Sequence, residues 1–185
     1  MIYDNNSIVW YVLFAANGKI AKMKPYLDAA NIEHFFPTFY KEKKVSGQKQ
    51  PKRMQYPILG NLLFVKSSKA ELDPILKRIK LQLNITSDLY YRDLGSRQLI
   101  VVPDDQMLNF IAVAGSGEEQ IIYLSNEEVR IRKGTKVRIT GGAFAGVEGV
   151  FMRIKGDKRL VVSLHSLGFS VATAYLPSRL VLPLE

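Results

Sequence analysis

Residues able to do chemistry are few in this chain. Cysteine is absent, which excludes a disulfide, a thiol nucleophile and any zinc site with thiolate ligands. Histidine occurs only twice, at His34 and His165, too few for a metal site built mainly on imidazole. His34 stands beside Phe35 and Phe36 in an apolar stretch and reads as a packing or surface residue. No serine sits in a Gly-x-Ser-x-Gly elbow. Tyr90, Tyr91, Arg92 and Asp93 are adjacent and polar, but alternate residues of a strand face opposite ways, so they do not converge. No catalytic residue, metal-ligand set or cofactor site follows from these residues.

What remains is the chemistry of binding. Between positions 41 and 53 stand Lys41, Lys43, Lys44, Lys49, Lys52 and Arg53 against Glu42 alone, a local net charge of +5. The whole chain carries 26 basic and 17 acidic side chains, a net +9 over 185 residues. Exposed lysines on a hairpin suit phosphate contacts, which give affinity without base specificity. A smaller group, Lys77, Arg78 and Lys80, falls where a helix is expected to end, a place where cations also complement the helix dipole. A third feature runs from Gly134 to Gly149. Val137 and Ile139 alternate with Lys136 and Arg138, as in a strand buried on one face. Gly141-Gly142 suits a tight turn with positive φ, Phe144 can plug the end of a barrel, and Gly146 and Gly149 permit close backbone approach. A phosphate-cradling loop is the wrong reading, because no Gly-Lys-Ser/Thr follows and no helix is expected after the glycines.

These features need elements to hold them. Ile8 to Ala15 is β-branched and aromatic and reads as a buried strand rather than a signal peptide. Lys19 to Ala30 has helical spacing at Ile20, Met23, Leu27 and Ala30. Glu33 to Tyr40 returns to strand character, residues 41 to 56 form an exposed hairpin or loop, and Ile58 to Val65 is another strand. Leu72, Ile75, Leu76 and Ile79 mark a helical face, with Ser68 as N-cap three residues before Glu71. Leu83 to Tyr91 and Gln98 to Val102 read as strands. Pro103, Asp104 and Asp105 then open a helix with Met107, Phe110, Ile111 and Ala114 on one face. This order predicts an α+β domain of the ferredoxin-like kind over residues 1–114. A linker follows over 115–128, part of which packs on something through Ile121 to Leu124. From 129 to 185 helical periods vanish, and short strands at Lys136–Ile139, Glu148–Ile154, Arg159–Leu164, Ala172–Leu176 and Leu180–Leu182 predict a small β-barrel. No apolar run reaches the roughly 18 residues of a membrane span. The expected setting is the cytoplasm.

The stretch from Gly134 to Gly149 resembles the KOW motif of the NusG-like transcription factors and of some ribosomal proteins, with Gly134, Val137, Arg138, Phe144, Gly146 and Gly149 as its marks. Trp10-Tyr11-Val12-Leu13 is similar to the opening of the NusG N-terminal domain, and Tyr56 through Val65 to that family's segment before its second helix. Val101 through Val113 is similar to the UpxY branch, the antiterminators of capsular-polysaccharide operons. The resemblance covers about residues 8 to 183. It implies a ferredoxin-like NusG N-terminal domain followed by an SH3-like KOW barrel. It further implies docking on the β′ clamp helices of RNA polymerase through an apolar patch matched here by Phe14, Leu59, Leu62 and Phe64. The 41–53 cations would then lie near non-template DNA or nascent RNA, and the barrel would recruit a second protein or RNA. The expected protein is a monomer that makes and breaks no bond. A ribosome-associated or RNA-binding KOW protein is the rival reading.

Overall fold

The computed structural model describes residues 4–16, 18–43, 52–118, 120–130 and 134–184, with backbone alone for 39–43, 52–55, 126 and 130. The chain divides into two compact units, Met1–Val101 and Val102–Glu185.

The first unit opens with β1 (Val9–Phe14), a short 3-10 turn over Ile20–Met23 and helix α1 (Lys24–Ala29). Strands β2 (Glu33–Phe35), β3 (Thr38–Lys43), β4 (Lys52–Pro57) and β5 (Leu62–Ser67) follow, then helix α2 (Lys69–Gln82) and strand β6 (Val101–Val102), at which the units divide. The main sheet has the order β2-β5-β1-β6, and β3 with β4 forms a separate hairpin. Counting β1, β2, β5 and β6 as the four strands, this is the expected strand–helix–strand–strand–helix–strand plan with a hairpin inserted between its second and third strands. The expected helix over 19–30 is split, with Pro25 in the first turn of α1, where its missing N–H costs nothing. The single strand expected over 33–40 is broken at Phe36-Pro37, where proline lacks a ladder donor.

Strand β1 pairs antiparallel with β5, from Val9 opposite Ser67 to Phe14 opposite Leu62. Tyr11, Leu13, Leu63 and Val65 join Met23, Leu27, Leu72, Leu76 and Ile79 in one buried cluster. Trp10, Val12 and Phe64, on the other face, are also buried. Each such side chain contributes about 1.5–3 kcal/mol of burial. Helix α2 starts as expected, with Ser68 Oγ accepting the Glu71 N–H at 3.2 Å. It ends on Asn84, whose φ is 51°. There Ile85 N–H donates to Lys80 O at 2.8 Å and Asn84 N–H to Leu81 O at 3.4 Å, a Schellman closure built on asparagine.

The strand expected over Leu83–Tyr91 is absent, and Gln98–Val102 contracts to Val101–Val102. Two isolated bridges replace them, Leu13 with Tyr90 and Arg92 with Leu99. The reason is local. The Asp88 carboxylate accepts the Tyr90 N–H at 3.1 Å, and Asp93 accepts the N–H groups of Gly95 and Ser96, so side chains take donors a ladder would use.

The second unit contains helix α3 (Asp104–Ala114), β7 (Ile122–Ser125), helix α4 (Asn126–Arg130), β8 (Thr135–Ile139), β9 (Glu148–Ile154), β10 (Asp157–Leu164), β11 (Phe169–Ala172) and β12 (Val181–Pro183). Six of these strands form one antiparallel sheet in the order β12-β8-β9-β10-β11-β7. The sixth strand, β7, comes from the stretch expected to be linker, and its Ile122 to Ser125 pair with β11. Helix α3, expected within 1–114, is grouped with this unit. Its Phe110 ring meets Phe169 at 6.1 Å, its Asn109 Oδ1 accepts the Glu148 N–H at 2.9 Å, and its Gln106 Oε1 accepts the His165 N–H at 3.2 Å. The strand expected over Ala172–Leu176 starts earlier, because Gly168 at φ 67° ends a 3-10 turn and sends the chain into β11 at Phe169.

The glycines of the Gly134–Gly149 stretch act differently from one another. Gly142 and Gly146 have φ of 80° and 85°, and open space surrounds Gly146, so it supplies a turn rather than the close approach expected of it. Gly149 has the close approach: a Cβ there would lie 2.5 Å from the Val161 carbonyl oxygen. Gly149→Ala is expected to cost the second unit about 1–3 kcal/mol through overpacking against backbone. Thermal unfolding of the full chain measures it, and an unchanged melting profile would refute the account.

Candidate partner-binding surfaces

Phe14 ends β1 opposite Leu62, and both are half-buried. The turn before β5 brings in Leu59: Leu62 N–H donates to Leu59 O at 3.1 Å, and Ala15 N–H to Asn61 O at 3.1 Å. Gly60 makes the turn with φ of 55°. Phe14, Leu59 and Leu62 are therefore gathered at one end of the sheet, and the Phe14 ring lies 6.1 Å from that of Tyr91. Phe64, the fourth anchor expected, is not on that surface. It is 0% exposed, opposite Val12 in the pairing and in register with Phe35 of β2.

The basic run falls on the inserted hairpin. Lys41 pairs in register with Met54, Glu42 with Arg53 and Lys43 with Lys52. Lys44 and Lys49 lie outside the described residues.

In the second unit, Val137 is buried on β8 and Phe144 is buried in the turn after it, as expected. Arg138 is exposed and donates to Glu148 across the β8–β9 pair at 2.8 Å. Gly134 sits hard against β9, where an added Cβ would collide with Val150 Cγ1.

Two polar clusters escaped sequence reasoning. The first joins α2 to the irregular segment after it. Tyr90 Oη donates to Asp73 at 2.7 Å, Lys69 Nζ donates to the other oxygen of Asp73 at 2.5 Å, and Lys69 lies 5.8 Å from the Tyr90 ring centroid. Burial and then the Asp73 hydrogen bond push the Tyr90 phenol well above its ordinary range. Burial alone would raise the Asp73 carboxyl, but the hydrogen bonds from Lys69 and Tyr90 outweigh it and hold it below the usual range. The second cluster centres on Arg159, only 6% exposed. It donates to the carbonyls of Gln120 at 2.9 Å and Thr173 at 2.8 Å and to Asp157 at 2.9 Å. The i,i+4 spacing of Lys69 and Asp73 was a readable signal; apart from Arg159 with Asp157, the rest joins residues at least 14 apart in sequence.

Among the described residues, no group of three His, Asp or Glu side chains could hold a metal ion. Among them too, no helix is long and apolar enough to cross a membrane.

A family profile described as transcription termination factor nusG matches residues 8–133. No curated protein matches the chain. A solved structure showing domain interaction in Thermotoga maritima NusG is 18% identical over 98% of this chain and 100% of that chain, with a TM-score of 0.41.

The Asp73 cluster has a pH signature. Because its folded value is depressed, the stability it contributes is present above the ordinary carboxylate value of about 4 and lost as pH falls through the depressed one. Asp73→Asn should lower stability at neutral pH and flatten the acid limb of a stability–pH curve. Identical acid limbs would remove Asp73 from this role. Tyr90→Phe should cost about 1 kcal/mol at neutral pH.

Proposed function

On the premise that the chain belongs to the NusG family of transcription factors, we propose that it is an antitermination and processivity factor of the UpxY kind, serving long operons for capsular or other surface polysaccharides. Its first unit docks on the β′ clamp helices of RNA polymerase in the cytoplasm. The observation that carries this reading is the gathering of half-buried Phe14 and Leu62, a cross-strand pair, beside Leu59. A helix settling on an apolar surface needs several anchors offered together, and a few of them supply most of the affinity. Phe64, two residues along β5 from Leu62, is 0% exposed and offers no surface to a partner. The protein acts by shifting a conformational equilibrium: it binds the closed, elongating polymerase more tightly than the paused one, and the difference in affinity sets the size of the effect.

The cations of residues 41–53 follow phosphates of non-template DNA or nascent RNA. The β-rich second unit recruits a further protein or RNA.

Two measurements test this. Phe14→Ala with Leu62→Asp should weaken binding to purified polymerase at least about tenfold, the effect expected for two interface anchors. It should also abolish read-through of a terminator on a candidate operon leader, with the protein still folded. Unchanged binding, or a tagged protein that captures ribosomal subunits and no polymerase, would overturn the reading. Separately, changing Lys41, Lys43, Lys52 and Arg53 to glutamine should reduce the salt dependence of binding to a duplex scaffold by about 0.9 in log–log slope for each phosphate no longer neutralised. An unaltered slope returns the hairpin to a solvated surface.

A further inference from the structure

We propose that β7 is a removable cover: this connector strand closes the edge of the second unit's sheet at β11, Arg159 latches it there, and its release opens that edge to an extended protein segment. Release would serve the recruitment of a further protein proposed above, and rests on that reading.

The sheet does not need β7 for its own continuity. Strands β8 to β12 all lie within Thr135–Pro183, and they pair in one run, β12-β8-β9-β10-β11. Strand β7 is added from outside that span, at the end of the run, and α4 separates it from β8. Without it, β11 would present a row of unpaired backbone donors and acceptors, a template for another strand. Four residue pairs hold the cover in register, from Ile122 opposite Ala172 to Ser125 opposite Phe169.

Its side chains show how it is fastened. Tyr123 stacks on Phe169 with ring centroids 5.8 Å apart, and the buried Leu124 packs in a cluster with Met152, Val161 and Ala172. A polar latch sits at the entry. Arg159, on β10, donates to the carbonyl of Gln120, just before β7, at 2.9 Å and to that of Thr173, just after β11, at 2.8 Å. One guanidinium thus ties the start of the cover to the end of the strand it covers. The latch is imperfect, because its buried Nε has no partner. Nor is the chain before β7 packed down: an open hollow of about 480 Å³ lies there, lined by Ser116, Gly117, Glu118, Gln120 and Ala174. At the far end Ser125 Oγ accepts the Glu128 N–H at 3.3 Å and starts α4, so a helix cap bounds the cover on that side. A short edge strand with a hollow behind its entry opens more readily than the strands within the sheet.

The test uses the full chain. Hydrogen exchange of wild type should show β7 and the β11 amides that face it opening together, at least about tenfold more often than those of β9 and β10. Arg159→Met should raise that opening at least about fivefold and leave β8 and β9 protected. Leu124→Ser, which loosens the cover without touching Arg159, should raise it too, so the readout does not depend on one variant. The chain has no cysteine, so Ile122→Cys with Ala172→Cys, opposite each other in register, supplies the only thiols and pins the cover reversibly. A fluorescein-labelled peptide of residues 118–128, read by anisotropy, stands in for a partner strand. It should bind Arg159→Met at least about fivefold more tightly than wild type, and bind the cysteine pair only when that pair is reduced. A dimer of Arg159→Met that the peptide disperses would also support release, the open edge being filled by a second copy's β7. The proposal falls if β7 exchanges only when the whole second unit unfolds, or if the oxidised and reduced pair take up the peptide equally. It falls too if a 12-nucleotide RNA, and not the peptide, gains affinity in Arg159→Met. None of these readouts involves polymerase, so a failure of polymerase docking leaves them intact.

Discussion

The first unit depends on β1 and β5 meeting in one register. A slip of one residue would exchange the faces of every side chain on the strand. Hydrophobicity alone barely penalises that slip here, because Tyr11, Leu13, Leu63 and Val65 on one face and Trp10, Val12 and Phe64 on the other are all apolar. The register is fixed at the ends instead. At one end the Gly60 turn lets Asn61 O accept the Ala15 N–H. At the other, Lys66 rests its ammonium 5.8 Å from the Trp10 ring centroid while Ser67, on the opposite face, donates to Glu71 at 2.7 Å. A slip would drive Lys66 into the cluster under the helices, where an unpaired ammonium costs far more than any packing could return.

The segments without extended ladders are held by a few backbone hydrogen bonds, such as Tyr91 N–H to Val12 O at 2.8 Å and Thr173 N–H to Leu160 O at 2.9 Å, and by single polar side chains. Residues 84 to 92 have only isolated bridges, and Tyr90 fastens them to α2 through Asp73. Gln120 and Thr173 lie outside the strands of the second unit, and the buried Arg159 guanidinium holds both of their carbonyls. The Arg159 arrangement is not fully satisfied, since its Nε has no partner, and elsewhere, on β1, the buried Trp10 indole N–H has none either. Each such group costs about 1–3 kcal/mol. Packing of the surrounding apolar residues outweighs those costs, and the polar side chains specify where irregular chain lies.

Local signals were legible in the sequence, and signals made by distant partners were not. The α2 start was readable because Ser68 and Glu71 are three residues apart, and the buried Val137 and Ile139 because a strand alternates. Leu83–Tyr91 has strand composition, yet Asp88 and Asn84 divert its backbone, and nothing in hydrophobic periodicity reports a side chain taking a ladder donor. Ile122–Ser125 was readable as something that packs, but its role as a sixth strand depends on β11, some forty-five residues on. Phe14 and Phe64 look alike in sequence, two aromatics on one face. Only the position of Phe64 in mid-strand, between β1 and β2, makes it core while Phe14 stays at the surface.

Apolar anchors and cations sit on separate elements of the first unit, and that separation has a physical consequence. Phe14, Leu59 and Leu62 lie at the end of the main sheet, the hairpin cations on β3 and β4, and Lys77 and Lys80 on α2. Charged rims act at long range and set encounter rate and orientation, whereas desolvated apolar anchors set the lifetime of a complex. Screening at physiological ionic strength has a length of about 8 Å, so raising salt weakens the first contribution and leaves the second nearly intact. Substitutions on separate elements with no shared partner should combine additively. A chain organised in this way can change the charge of a hairpin or a helix face without disturbing the register on which its apolar surface is built.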